Sequence, residues 1–197
     1  MTKEIGVLKR DGSKEKLDLE KMHTVVFYAC EGITGVSASE VEIKSHLQFY
    51  DGIKSTDIQE TLIKAAADLI SEETPGYQWV AGRLINYHLR KNVYDSFTPW
   101  HLKDIIAKNI DLGYYDSEIT NSYTQEELDL ADSYIKHDRD ENIAYVGMEQ
   151  FRGKYLAQNR VTGDIYETPQ VTYMMISLVL FGDYPKEERM KWVKDYY

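Results

Sequence analysis

Two adjacent cations, Lys9 and Arg10, follow the short apolar run Ile5-Gly6-Val7-Leu8 and precede Asp11-Gly12. Asp-Gly is a hairpin signal, because a tight two-residue turn needs positive φ and glycine tolerates it. The returning stretch, Ser13 to Leu17, feeds a helix that carries Lys21 in its first turn. Such a hairpin would hold Lys9, Arg10 and Lys21 near one another on a rigid frame. Lysine supplies a compact charge that can track a phosphate, and arginine a planar fork for two oxygens. In a chain of formal net charge -10, a local cationic cluster points to an anionic ligand, a polyphosphate first. The bland alternative is a set of solvated cations beside a turn.

Other reactive side chains form no catalytic pattern. The single cysteine, Cys30, excludes an internal disulfide and a four-cysteine zinc site. His23, His46, His88, His101 and His137 are scattered without HExxH or paired spacing, so they read as surface or packing residues and no metal site is expected. Asp138 to Glu141 read as a solvated turn between helices. Tyr28, Tyr50, Tyr87 and Tyr94 read as core-edge residues. No catalytic residue is assigned.

A frame must position the cationic cluster, and composition bounds it. The chain has 197 residues with 43% hydrophobic content, enough for a real core. The pI near 5.0 argues against a broad nucleic-acid surface, which needs a basic face. The N-terminus lacks an apolar signal segment, and no run of about 18 apolar residues suggests a membrane span. A soluble cytoplasmic protein with neither nucleic-acid nor membrane partners is expected. Sixteen tyrosines against five phenylalanines suggest packing surfaces with polar rims, which also suit interfaces.

The expected fold is mainly α with a minor β component: a β-hairpin over four helices, then a helical segment with one more hairpin. Asp18 is a plausible N-cap for a helix from Leu19 to about Gly32, with Leu19, Met22, Val25, Val26, Ala29 and Cys30 on its apolar face. Ser39 and Glu42 form a capping-box signature for a helix reaching about Tyr50, which Asp51-Gly52 breaks. Ser55 or Thr56 caps a third helix with Ile58, Leu62, Ala65, Ala66, Leu69 and Ile70 as its stripe. Thr74-Pro75 starts a fourth, which runs to about Val93. Further helices are expected at Pro99 to Leu112, Thr124 to Ile135, Asn142 to about Phe151, Val171 to Leu180 behind Pro169, and Lys186 to Tyr197. Lys154 to Gln158 and Asp164 to Glu167 flank a turn as a second hairpin. The helix at 171–180 is too apolar to be left bare: either it packs within this chain or the chain is the first piece of something larger.

The strings VLKRDGSKEKLDLEKMH, QFYDGIKSTDIQETLIKAAADLI and YQWVAGRLINYHLRKNVY resemble an ATP-cone. KHDRD at Lys136 to Asp140 and KYLAQNRVTGDIYETPQ at Lys154 to Gln170 resemble the segment that follows the cone in the large (α) subunit of class I aerobic ribonucleotide reductase. The likeness covers essentially the whole chain. It implies two domains: an ATP-cone at 1–95, and at 96–197 a helical segment that precedes the catalytic barrel of the α subunit.

The resemblance implies an overall-activity site for ATP or dATP as allosteric effector, with Mg2+ accompanying the nucleotide. By the family pattern, Lys9 and Arg10 meet the triphosphate, Lys21 and Lys91 match phosphate ligands, and Glu15 faces the nucleoside. The segment Glu15, Lys16, Leu17, Asp18, Leu19, Glu20 and Lys21 walls the pocket. Ser55 and Gln59 share one helix face at i,i+4, where many relatives carry Thr and His, although Ser55 is equally an N-cap candidate. Glutamine cannot gain a proton, so Gln59 departs from the family pattern where ATP and dATP are told apart.

The family's catalytic cysteines belong to the barrel and the C-terminal tail, and Cys30 matches none of them. Alone, the chain is expected to bind nucleotide and catalyse nothing. Expected partners are the barrel-bearing remainder of the α subunit and the small radical (β) subunit. The rival reading is a free-standing decoy or adaptor that binds the small subunit or another reductase.

Overall fold

Three short strands form one small sheet. In the computed structural model, which describes residues 5–9, 12–46 and 48–197, β1 (Gly6–Leu8) pairs antiparallel with β2 (Lys14–Lys16), Val7 opposite Glu15. On its other side β1 pairs parallel with β3 (Ile53–Lys54), so the order is β2-β1-β3. Sequence patterning does not announce β3, since two residues carry no alternation. The loop before it fixes its place. Gly6 N–H donates to Asp51 Oδ1 at 2.8 Å, and Gly52 N–H donates to the Gly6 carbonyl at 2.9 Å.

At the mouth of the hairpin Lys9 N–H donates to the Ser13 carbonyl at 2.8 Å and Gly12 N–H to the Lys9 carbonyl at 3.0 Å. Gly12 takes a left-handed φ of +82°, which favours glycine. Arg10 and Asp11 lie outside the described residues.

Among the described residues the helices are α1 (Leu19–Cys30), α2 (Ala38–His46), α3 (Ser55–Ala67), α4 (Tyr77–Tyr94), α5 (Leu102–Asp111), α6 (Glu118–Ser122), α7 (Gln125–Tyr134), α8 (Tyr145–Gln150), α9 (Pro169–Phe181) and α10 (Lys186–Tyr196). A 3-10 helix spans His137–Asn142 and a π-helix Phe151–Tyr155. The mainly α fold with a minor β component is the one expected. The chain divides into two compact units: Met1–His88 with Glu141–Glu149, and Leu89–Asp140 with Gln150–Tyr197.

In the first unit, Asp18 caps α1: its Oδ1 accepts the N–H groups of Glu20 and Lys21, both at 3.1 Å. Met22, Val26 and Ala29 form the buried face, whereas Leu19 in the first turn is exposed. α2 stops at His46, short of the expected Tyr50. α3 buries Ile58, Leu62, Ile63, Ala65 and Ala66. Leu69 and Ile70 fall beyond its end, and Ile70 is exposed. α4 begins two residues after Pro75, behind a turn in which Gln78 N–H donates to the Pro75 carbonyl at 3.2 Å. Gly82 on α4 admits the returning segment, since a Cβ there would lie 2.2 Å from the Ile143 carbonyl oxygen. Arg83 ties the same region together, donating from Nη1 to the Glu31 carbonyl at 2.6 Å.

In the second unit, α7 starts with the expected capping box: Thr124 N–H donates to Glu127 at 2.8 Å and Glu127 N–H to Thr124 Oγ1 at 3.3 Å. Arg189 of α10 closes on Glu127, its Nε 2.7 Å from Oε1. The second hairpin shrinks to one antiparallel bridge, Gln158 with Ile165, because Lys154 and Tyr155 belong to the π-helix instead. Its turn remains where expected, with Asn159 N–H donating to the Asp164 carbonyl at 2.8 Å. Glu167 anchors the neighbourhood, accepting from Ala157 N–H and the Thr172 hydroxyl, both at 2.8 Å, and from the Tyr115 hydroxyl. Asp140 is fully buried, which corrects the expectation of a solvated turn at that position.

Candidate functional site

β1 and β3 run parallel, so both end on the same edge of the sheet. Leu8 stands opposite Lys54, and the next residues, Lys9 and Ser55, leave that edge side by side. Ser55 is the first residue of α3 and not its cap. The cap position belongs to Lys54, whose side chain accepts nothing from the helix. α3 therefore starts with its first N–H groups free of a side-chain cap. Such a start offers donors and the positive end of the helix dipole to an anion. Lys14, opposite Leu8 on β2, adds charge to this edge. Lys54 is a cation that composition and spacing do not single out; its signal is its place between the Asp51-Gly52 turn and a helix start.

Lys9 is not idle in this arrangement. Its ammonium lies 3.0 Å from the Glu15 carboxylate, with both side chains 40% exposed. An exposed pair of this kind contributes about 0–1 kcal/mol, so a phosphate can displace the carboxylate at small cost.

The remainder of the segment leads to the other end of the sheet. Lys16 stands opposite Gly6, and Leu17 N–H donates to the Ile5 carbonyl at 2.9 Å. Leu17 is half-buried, while Lys16, Leu19 and Glu20 are exposed. Lys21 pairs with its own cap residue, Asp18, at 3.5 Å, and its side chain is 71% exposed. The Lys21 N–H, helped by the lysine charge, holds the Asp18 carboxyl below its usual range.

Gln59 lies one turn along α3 from Ser55, and its Oε1 is buried without a hydrogen bond. His88 of α4 is buried, its Nε2 3.5 Å from Glu60. Lys91 lies further along α4, in the second unit. Arg10 lies outside the described residues. The structure therefore pairs Lys9 with Glu15 and Asp18 with Lys21, and places Lys9 and Ser55 each one residue beyond the Leu8–Lys54 pairing. Cys30 is half-buried, and burial pushes its thiol up to about 11, away from thiolate chemistry. Among the described residues no cluster of His, Cys, Asp and Glu could hold a metal ion, and no helix is long and apolar enough to cross a membrane.

Residues 5–92 match the ATP cone domain. Over all 197 residues the chain is 49% identical to the ribonucleoside-diphosphate reductase 1 subunit alpha of Escherichia coli strain K12, covering 26% of that protein. It is 41% identical over 195 residues to the corresponding subunit of Enterobacteria phage T4, covering 98% of this chain and 25% of the relative. The Helicobacter pylori subunit is 34% identical over 195 residues, covering 98% and 24%. The chain thus spans about a quarter of the length of the curated relatives it matches. By its cone and by likeness along its whole length, the chain is similar to the N-terminal, ATP-cone region of class I ribonucleotide reductase alpha subunits.

Proposed function

We propose that the first unit binds ATP or dATP as an allosteric effector and that this binding sets the overall activity of a ribonucleoside-diphosphate reductase. The observation that carries the reading is the shared edge of β1 and β3, where the chain passes into Lys9 on one strand and into the uncapped start of α3 on the other. In this reading Lys9 and Arg10 take the triphosphate, with Ser55 and the first N–H groups of α3 beside them. The Glu15 to Lys21 segment lies along the nucleotide, with Lys21 as a further phosphate ligand. For Lys91 the family likeness is the sole support. Magnesium arrives with the phosphates. Gln59 offers its buried acceptor to a ribose hydroxyl, and a site that hydrogen-bonds a hydroxyl discriminates better than one that merely tolerates it.

A cone at 1–95 would act as the switch, and the segment at 96–197 would link it to the catalytic part of a cytoplasmic enzyme. The switch needs only a few kcal/mol of differential affinity between two assemblies. Its partners are the remainder of the α subunit and the small radical subunit. Isothermal titration of the folded chain with ATP and with dATP tests the proposal. Binding between low micromolar and millimolar is expected, and the absence of heat from both nucleotides would sink it. Mass measurement with a small subunit, with and without nucleotide, tests the partner.

A further inference from the structure

The C-terminal end of α1 is held by residues from distant parts of the first unit. Tyr28, in its last turn, donates its hydroxyl to the Glu141 carboxylate, 113 positions further along the chain. Arg83 of α4 donates from Nη1 to the Ala29 carbonyl at 3.4 Å and to the Glu31 carbonyl at 2.6 Å, and from Nε to the Glu141 carbonyl at 3.4 Å. One guanidinium therefore grips both the end of α1 and the backbone of Glu141. The segment Glu141–Glu149 is built into the same unit. Its Met148 is fully buried, and Gly82 of α4 leaves room for the Ile143 carbonyl, which a Cβ would meet at 2.2 Å. This segment lies outside residues 5–92, the stretch that matches the ATP cone domain. In the nucleotide reading, the first turn of α1 belongs to the effector site, where Asp18 caps the helix and pairs with Lys21 at 3.5 Å. α1 contains neither glycine nor proline, so its 12 residues act as one rod about 18 Å long. A triphosphate that takes the Lys21 ammonium competes with Asp18, and any shift of the rod at that end must be taken up at Tyr28 and Glu31.

We propose that Glu141 is a positioning residue for the effector site, and that nucleotide occupancy at the first turn of α1 is relayed along the helix, through Tyr28 and Arg83, to the segment Glu141–Glu149. The inference rests on the nucleotide reading given above and says how that site is read out. Linkage makes the effect reciprocal: a nucleotide that orders the segment must itself bind more weakly when the segment is loosened. Glu141 sits in the 3-10 helix His137–Asn142, whose earlier residues belong to the second unit. The chain thus leads directly from the relay into that unit.

Amide hydrogen exchange and ATP calorimetry on the full 197-residue chain test the proposal, with Tyr28→Phe, Glu141→Ala and Glu141→Gln as variants. In the parent, ATP should slow exchange across Glu141–Glu149 by at least about threefold. Tyr28→Phe removes only a hydroxyl from a half-buried ring, so the fold should survive it. It should weaken ATP by about three- to tenfold and abolish the protection. Glu141→Ala should do the same, and the two together should lose no more than the larger single effect. Glu141→Gln keeps an oxygen that accepts from Tyr28 and should stay within about threefold of the parent. Circular dichroism and melting temperature establish that each variant is folded during titration. A purely structural tie would lower the melting temperature yet leave ATP affinity and protection as in the parent, which would overturn the proposal. ATP heat without protection at Glu141–Glu149 likewise defeats the relay and leaves the nucleotide site standing. Absence of heat from the parent defeats the nucleotide site and the relay with it.

Discussion

Replacing Lys9 by alanine should separate its small structural role from its large binding role. In the free protein the ammonium pairs with Glu15 at 3.0 Å at the surface, so its loss should cost at most about 1 kcal/mol of stability. The melting temperature should move by no more than a few degrees. In the bound state the same ammonium would make a charge-assisted hydrogen bond to phosphate, worth about 1.5–3 kcal/mol. Lys9→Ala also leaves the Glu15 carboxylate without its cation beside the incoming anion, which acts in the same direction. An affinity loss of about 2–3 kcal/mol, roughly 30- to 150-fold, is therefore expected. Calorimetry with ATP on the parent, Lys9→Ala and Lys9→Arg measures it. Lys9→Arg keeps the charge and should stay within about fivefold of the parent. Because the edge is open to water, the difference should shrink as salt shortens the screening length below its ~8 Å at physiological ionic strength. An alanine variant that folds normally and binds ATP within about twofold of the parent would refute the role given to this edge.

Asp18→Ala removes the acceptor for two N–H groups at the start of α1 and should cost about 1 kcal/mol in a denaturant titration. Gly82→Ala drives a Cβ to within 2.2 Å of the Ile143 carbonyl oxygen. It should destabilise the first unit by about 1–3 kcal/mol or more, visible as a lower melting temperature. His137 is held down to about 4 by burial first and by the nearby Arg90 charge second. The unfolded chain takes up that proton near its ordinary value of 6.5 while the folded chain resists it, so stability is full above 6.5 and declines as pH falls towards about 4. The decline is at most about 3 kcal/mol, less after solvent screening. His137→Asn should flatten the stability profile across this window, as denaturant titrations at pH 7 and pH 5 would read.

Much of the helical frame is legible because local chemistry and tertiary packing agree. Asp18 and Thr124 cap the helices their side chains announce, and Pro169 opens α9. Discrepancies arise where a distant partner decides. β3 has only two residues and owes its existence to pairing with β1. Ser55 looks like a cap by type, but that parallel pairing carries the extended backbone as far as Lys54 and makes Ser55 helical. Asp140, in a run of polar residues, reads as solvated and is buried. At the candidate site, the hairpin and its lysines can be read from residue types. The placement of Lys9 and the start of α3 on one edge cannot, since it depends on strand register between segments far apart in sequence.

That register bears on how the protein reaches its native state. The bond joining Gly6 to Asp51 spans 45 positions, and α1 and α2 lie within the span. The proposed anion edge is therefore a high-contact-order feature: the chain must close a long loop before the strands that lead into Lys9 and Ser55 pair. Hairpin and helices can flicker into being early, but an effector has nothing to grip until that loop has closed. Nucleotide would thus bind the completed fold and not its precursors, stabilising it by mass action.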